Sequence, residues 1–139
     1  MGEGLLLPLP HYNKNKEIDI MNYVLFTVKG KDYKLVLTTR TMVELEKRLN
    51  GRNPISILMD VADDKLPTIT EMILILWCSM VKYNHGISLD DCYNIFDDYI
   101  AEGHAYTDFI EVMMKIFETS GLINTKSTED SDPNAEMGV

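Results

Sequence analysis

The chain has 139 residues, 45% apolar and 25% charged, the proportions of one ordinary globular domain that buries about two thirds of its unfolded surface. Its 22 acidic and 13 basic side chains leave a net charge of −9, which argues against docking on a phosphate backbone through clustered Lys and Arg. The same charge favours solubility and tolerates neutral or basic protein partners.

At the N-terminus, Leu5-Leu6-Leu7-Pro8-Leu9-Pro10 is too short for the apolar stretch of a signal peptide, and no basic residue precedes it. Lys14, Lys16 and Glu17 follow without a period, and Met21 stands directly before the first patterned strand. Residues 1–20 therefore read as a flexible extension, an added leader or the product of an upstream start, and the folding unit as residues 21–123. The other reading of the segment is an ordered arm that docks on the domain.

Residues 23–38, YVLFTVKGKDYKLVLT, predict a β-hairpin. Two runs rich in β-branched and aromatic residues flank Gly30-Lys31, and glycine at the first central position suits a type II′ turn. That turn pairs Val28 with Tyr33, Phe26 with Leu35 and Val24 with Leu37. Alternation then sends Val24, Phe26, Val28, Tyr33, Leu35 and Leu37 to the core. Thr27 and Lys34 lie on the other face near the turn, with Tyr23, Leu25 and Val36 at its base. An isolated hairpin is marginal in water, so it must lean on helices, find a further strand or contact another subunit.

From Thr39 the period becomes helical. Thr41 and Glu44 fit a capping box, with Thr38 or Thr39 as alternative starts, and Asn50-Gly51 ends this helix. Asn53-Pro54 opens a second, short helix in which Ile55, Leu58, Met59 and Ala62 form a buried stripe. Thr68 and Glu71 cap a third, over residues 66–86, with seven consecutive apolar residues from Met72 to Cys78 and no charged stripe. Such a helix is a membrane span or the centre of a small domain. It falls short of the ~20 apolar residues a span requires and is flanked by Glu71 and Lys82, so it reads as the central core helix.

Ser88, with Asp90 and Asp91 in the first turn, starts a fourth helix whose Leu89, Cys92, Ile95, Phe96 and Tyr99 share a face. Asp108 and Glu111 start a fifth, with Phe109, Val112, Met113, Ile116 and Phe117 inward and Gly121 as its left-handed cap. Residues 124–139 are polar and acidic, without a period, and read as a disordered tail. The expected fold is mainly α: an N-terminal β-hairpin followed by about five helices packed around a central apolar helix, a small α+β domain.

Catalytic chemistry finds little support. His85 and His104 sit at helix ends, where capping is the simpler role, and His11 lies in the extension. The pairs Asp63/Asp64, Asp90/Asp91 and Asp97/Asp98 are adjacent on helices or caps, pointing ~100° apart rather than converging on a cleft. Cys78 and Cys92 lack zinc-ligand neighbours and read as reduced core thiols. No phosphate-binding glycine loop or calcium loop occurs. No enzyme, cofactor or metal is expected. The nine methionines are mostly core fillers, but Met114 lies off the inward stripe of the last helix and is a candidate for an adaptable surface.

Several stretches resemble the tail assembly chaperones of long-tailed phages and prophages of Gram-positive hosts. These are the strand pair leading into Leu37-Thr38-Thr39-Arg40 and Val43-Glu44-Leu45-Glu46-Lys47, the Asn53-Pro54 helix start, and Ile75-Leu76-Trp77 through Tyr83-Asn84-His85-Gly86. The resemblance covers about residues 21–123 and rests on structural signatures, with no catalytic motif. It implies a non-enzymatic protein that binds the tape measure protein and keeps it soluble before the tail tube polymerises. The implied place of action is the cytoplasm of the bacterial host, with no expectation of a place in the mature virion. It also implies a homo-oligomer and, in a frameshifted longer form, contact with the tail tube protein. No nucleic acid or membrane is expected as a partner. On this reading Tyr23, Leu25, Val36 and Met114 are the candidate partner-binding residues. The alternative is an acidic regulatory module such as a DNA mimic, which requires carboxylates spaced along one face.

Overall fold

The computed structural model describes residues 22–124, so the expectations for residues 1–20 and for the tail beyond 124 lie outside the described residues. The chain opens with an antiparallel hairpin, β1 (Val24–Val28) and β2 (Lys31–Leu35). Five helices follow: α1 (Thr39–Arg48), α2 (Pro54–Ala62), α3 (Ile69–Met80), α4 (Leu89–Ala101) and α5 (Asp108–Thr119). The α+β arrangement expected from the switch of hydrophobic period is the one formed.

The hairpin's register differs from expectation by two residues. Val24 pairs with Leu35, Phe26 with Tyr33 and Val28 with Lys31, so the turn is Lys29-Gly30. Both turn residues have positive φ, 51° and 74°, the signature of a type I′ turn. A left-handed lysine is costly in isolation. Here α4 holds it: the Lys29 amide donates to Glu102, and its ammonium lies 3.1 Å from Asp98 Oδ1. A slip of two leaves every side chain within β1 and β2 on its expected face, and Phe26, Val28, Tyr33, Leu35 and Leu37 are buried as predicted.

The slip also moves Val36 and Leu37 beyond the end of β1. The Val36 amide donates to the carbonyl of Ser79 at 2.8 Å, and the Leu37 amide to Ser120 Oγ at 2.8 Å. Val36 is therefore buried against α3, with 7% of its surface exposed, and its expected place on the outer face is corrected.

Local capping explains where the helices start. Reciprocal capping boxes join Thr38 to Thr41, Thr68 to Glu71 and Ser88 to Asp91, while Asn53 caps α2 with Pro54 at its first position. α1 thus starts at the earlier of the candidate positions. At the end of α5, Gly121 has φ 88°, and the Leu122 and Gly121 amides return to the carbonyls of Phe117 and Glu118 in a Schellman motif.

α2 departs from its expected phase. Pro54 and Ile57 are buried and Leu58 and Val61 half-buried, whereas Met59 and Ala62 face solvent. Ile55, Ile57, Leu58, Met59 and Val61 surround the helix with apolar groups, so spacing alone admits two stripes one residue apart. Packing on α1 selects the stripe that starts at Pro54.

α3 is the axis of the domain, touching α1, α4, α5 and β2. Met72, Ile73, Leu74, Ile75, Leu76, Cys78, Ser79 and Met80 are all buried, and Ser79 satisfies its hydroxyl on the Leu76 carbonyl at 2.8 Å. The hairpin's inner face closes the opposite side on α4 and α5, with the Phe26 ring 5.1 Å from Tyr99 and 5.7 Å from Phe109. Each such aromatic buries enough surface to stabilise the fold by about 2–3 kcal/mol. Among the described residues no helix is long and apolar enough to cross a membrane.

Candidate functional site

Among the described residues two apolar surfaces stand open, and the local chain geometry produces each. The first is the hairpin's outer face. Strand alternation brings Tyr23 and Leu25 onto it, and Leu25, directly opposite Lys34, is 56% exposed. Tyr23 meets Tyr83 edge-on, with ring centroids 5.5 Å apart. The Lys34 ammonium lies 5.0 Å from the Tyr23 ring and 5.7 Å from the Tyr83 ring, and the Lys82 ammonium 5.3 Å from the latter. Exposed cation–π contacts are worth only about 0.5–1 kcal/mol, so they orient these rings more than they stabilise the domain. The result is an aromatic, aliphatic and cationic face on an acidic protein. Its backbone is fixed at the Lys29, Val36 and Leu37 amides.

Of the four residues expected to bind a partner, Tyr23 and Leu25 share this face. Val36 lies beneath the hairpin base. Met114 is exposed on α5, off the buried stripe of Phe109, Met113, Ile116 and Phe117. Tyr83 belongs with Tyr23, although the sequence offers only its position just past the central helix as a clue.

The second runs along α3, with one hollow against α1 and another against α4. A concavity of about 310 Å³ lies towards its C-terminal end, lined by Trp77, Cys78 and Val81 and by Arg40, Thr41, Glu44 and Arg48 of α1. The Arg48 guanidinium stacks 4.4 Å from the Trp77 ring and bonds Glu44 at 2.8 Å, while the indole N–H donates to the Ile87 carbonyl at 3.2 Å. A second hollow of about 280 Å³ lies towards the N-terminal end, between Ile69 and Ile73 and the α4 residues Tyr93, Phe96 and Asp97, with Tyr106 at its rim. The absence of a charged stripe in this helix was the sequence signal for both.

The titratable groups are mostly engaged in structure. Arg52 bonds Asp60 and Glu71, Asp98 and Glu102 hold Lys29, and Asp91 caps α4. Hydrogen bonds from the amide and hydroxyl of Ser88 hold the Asp91 carboxyl below its usual pKa. Burial pushes both thiols up to about 12, and Cys92 lies against Met80 with sulfurs 3.6 Å apart. His104 stacks on Tyr99 with centroids 4.2 Å apart. Among the described residues no group of three or more His, Cys, Asp or Glu side chains is placed to hold a metal ion.

Residues 24–138 match a family described as a family of unknown function, DUF6096. The chain belongs to that family. The match starts at the first residue of β1 and takes in the hairpin, all five helices and hence both open surfaces. No curated protein and no solved structure matches the chain.

Proposed function

We propose that this member of the family is a non-enzymatic tail assembly chaperone. It binds the tape measure protein in the cytoplasm of the bacterial host and keeps it soluble until the tail tube grows around it. The observation that carries the reading is the hairpin's outer face. Leu25 stands open beside the Tyr23–Tyr83 pair on strands whose ends are tied to α3, α4 and α5. A rigid apolar patch rimmed by Lys34 and Lys82 accepts the apolar side of an amphipathic helix and pairs with carboxylates flanking it. Rigidity matters because a preorganised surface loses little entropy on binding. The resemblance in the strand pair, the Asn53-Pro54 start and the end of the central helix supplies the identity of the client. Contact with the tail tube protein falls, on this reading, to a frameshifted longer form.

The test is co-expression of the full chain with a tape measure protein, followed by pull-down and measurement of the soluble client fraction. The wild-type chain captures the client and raises its solubility, and Leu25→Glu loses both while remaining folded. A folded wild-type chain that neither captures nor solubilises the client overturns the reading.

A further inference from the structure

The hairpin's outer face is locally cationic on a chain of net charge −9. Lys34 and Lys82 lie against the Tyr23 and Tyr83 rings, and among the described residues neither ammonium has a carboxylate partner. Asp32, on the same side of β2, is engaged by the Thr27 hydroxyl at 2.6 Å. The chain itself carries the complement. Glu129, Asp130, Asp132 and Glu136 fall within eight residues, and Met137 follows them directly.

We propose that this acidic segment folds back on the outer face of its own hairpin, setting carboxylates against Lys34 and Lys82 and Met137 against Leu25. The Leu37 amide donates to Ser120, so α5 ends at the hairpin's base, where Val24 pairs with Leu35 and Tyr23 begins the outer face. From Asn124, five residues of extended chain reach about 17 Å and eight reach about 28 Å. Strands lie only about 5 Å apart, so this length carries Glu129 to Asp132 round the base. The family match runs from residue 24 to residue 138, taking in the acidic segment and leaving out residues 1–23. Residues 1–20 also mix Lys14 and Lys16 with Glu17 and Asp19, a poorer complement to two lysines. Exposed ion pairs are individually weak, but tethering gives an effective concentration on the order of millimolar, so weak contacts cover the face for part of the time. A client that buries more apolar surface then displaces the segment. That displacement rests on the chaperone reading; the contact itself does not.

A nitroxide carried on Ala135→Cys in the isotope-labelled full chain provides the test, because Cys78 and Cys92 are buried and stay unmodified. At low salt the amide NMR signals of Leu25, Lys34 and Tyr83 broaden. The broadening is lost at about 1 M salt, where charges are screened within about 3 Å. It is also lost when Lys34→Gln and Lys82→Gln are combined, two exposed changes that leave the circular dichroism at the wild-type signal. Broadening that is absent, spread evenly over the surface, or unchanged in the lysine variant overturns the proposal. So does equal broadening between nitroxide-bearing chains and separate isotope-labelled ones, which puts the segment on a second copy. Neutralising the four carboxylates together (Glu129→Gln, Asp130→Asn, Asp132→Asn, Glu136→Gln) tightens client binding about twofold or more, and unchanged affinity overturns the covering role. A chain that shows the broadening and captures no client removes the chaperone reading and leaves the contact standing; capture without the broadening does the reverse.

Discussion

The amide of Val36 donates to the carbonyl of Ser79, tying the residue just past β2 to the last turn of the central helix. A helix leaves its last four carbonyls without intrahelical partners, and here the amide that follows β2 satisfies one of them. The bond therefore serves both elements and draws the Val36 side chain into the packed interior. Val36→Glu must bury a charge without a partner, and its expected cost is about 3 kcal/mol or more. Leu25→Glu, on the open face two residues from Tyr23, should change stability by no more than about 0.5 kcal/mol. Urea denaturation of the two variants measures the contrast, and equal losses would place both side chains in the same environment.

Legibility from sequence followed the range of the interactions concerned. Helix starts depend on side chains three residues apart, and Thr68/Glu71, Ser88/Asp91 and Asn53-Pro54 were all readable. The hairpin's turn was misplaced because Glu102 and Asp98, some seventy residues away, hold Lys29 in its left-handed conformation. The α2 stripe was misphased because that helix is apolar on too many sides for spacing to decide. Val36 alternates with Leu35 and Leu37 in the sequence but leaves the ladder in space, and no local signal marks that exit. The α3 hollows were half visible: the sequence showed a helix without a wet side, and only packing revealed which flanks stay uncovered.

Arg52 offers a second test of how the early helices are joined. From the turn before α2 its guanidinium donates to Ser56 Oγ at 2.8 Å and bonds both Asp60 of α2 and Glu71 of α3. The second oxygen of Glu71 accepts the Thr68 amide at 2.9 Å, so the cluster also fixes the start of the central helix. These groups are partly exposed, which limits their worth, and Arg52→Ala should cost about 1–2 kcal/mol. Arg52→Lys should recover less than half, because a point charge cannot serve two carboxylates and a hydroxyl as a planar fork does. Denaturation at low and high salt checks both, with the difference between the variants shrinking as salt screens it.

The two thiols make stability sensitive to alkali. Burial raises Cys78 and Cys92 from 9.0 in the unfolded chain to about 12, and burial also raises Tyr99, helped by the charges of Asp108 and Glu111. A group with a raised folded pKa contributes fully below its unfolded value and loses that contribution as pH climbs towards the folded one. The denaturation midpoint should therefore fall steadily from about pH 9 upward. At pH 8 the native chain should resist a thiol-specific reagent, and urea should release both cysteines to it. Rapid labelling of the native chain would show the thiols to be accessible.

Asp91 acts in the opposite direction, at low pH. Its carboxylate accepts the Ser88 amide at 2.9 Å while its own amide donates to Ser88 Oγ at 3.0 Å, and the helix N-terminus favours the negative charge. Its folded pKa is lowered from 3.8, first by the bond from the Ser88 amide and then by that from the hydroxyl. The contribution is thus complete above the unfolded value and disappears as pH falls through the folded one. Replacing Ser88 with alanine removes the hydroxyl and the side chain that accepts the Asp91 amide, loosening the reciprocal box. A carboxyl-detected NMR titration should then show Asp91 moving back up towards 3.8 in Ser88→Ala. An unchanged titration would mean that the Ser88 amide and the helix N-terminus depress the group without help from the hydroxyl.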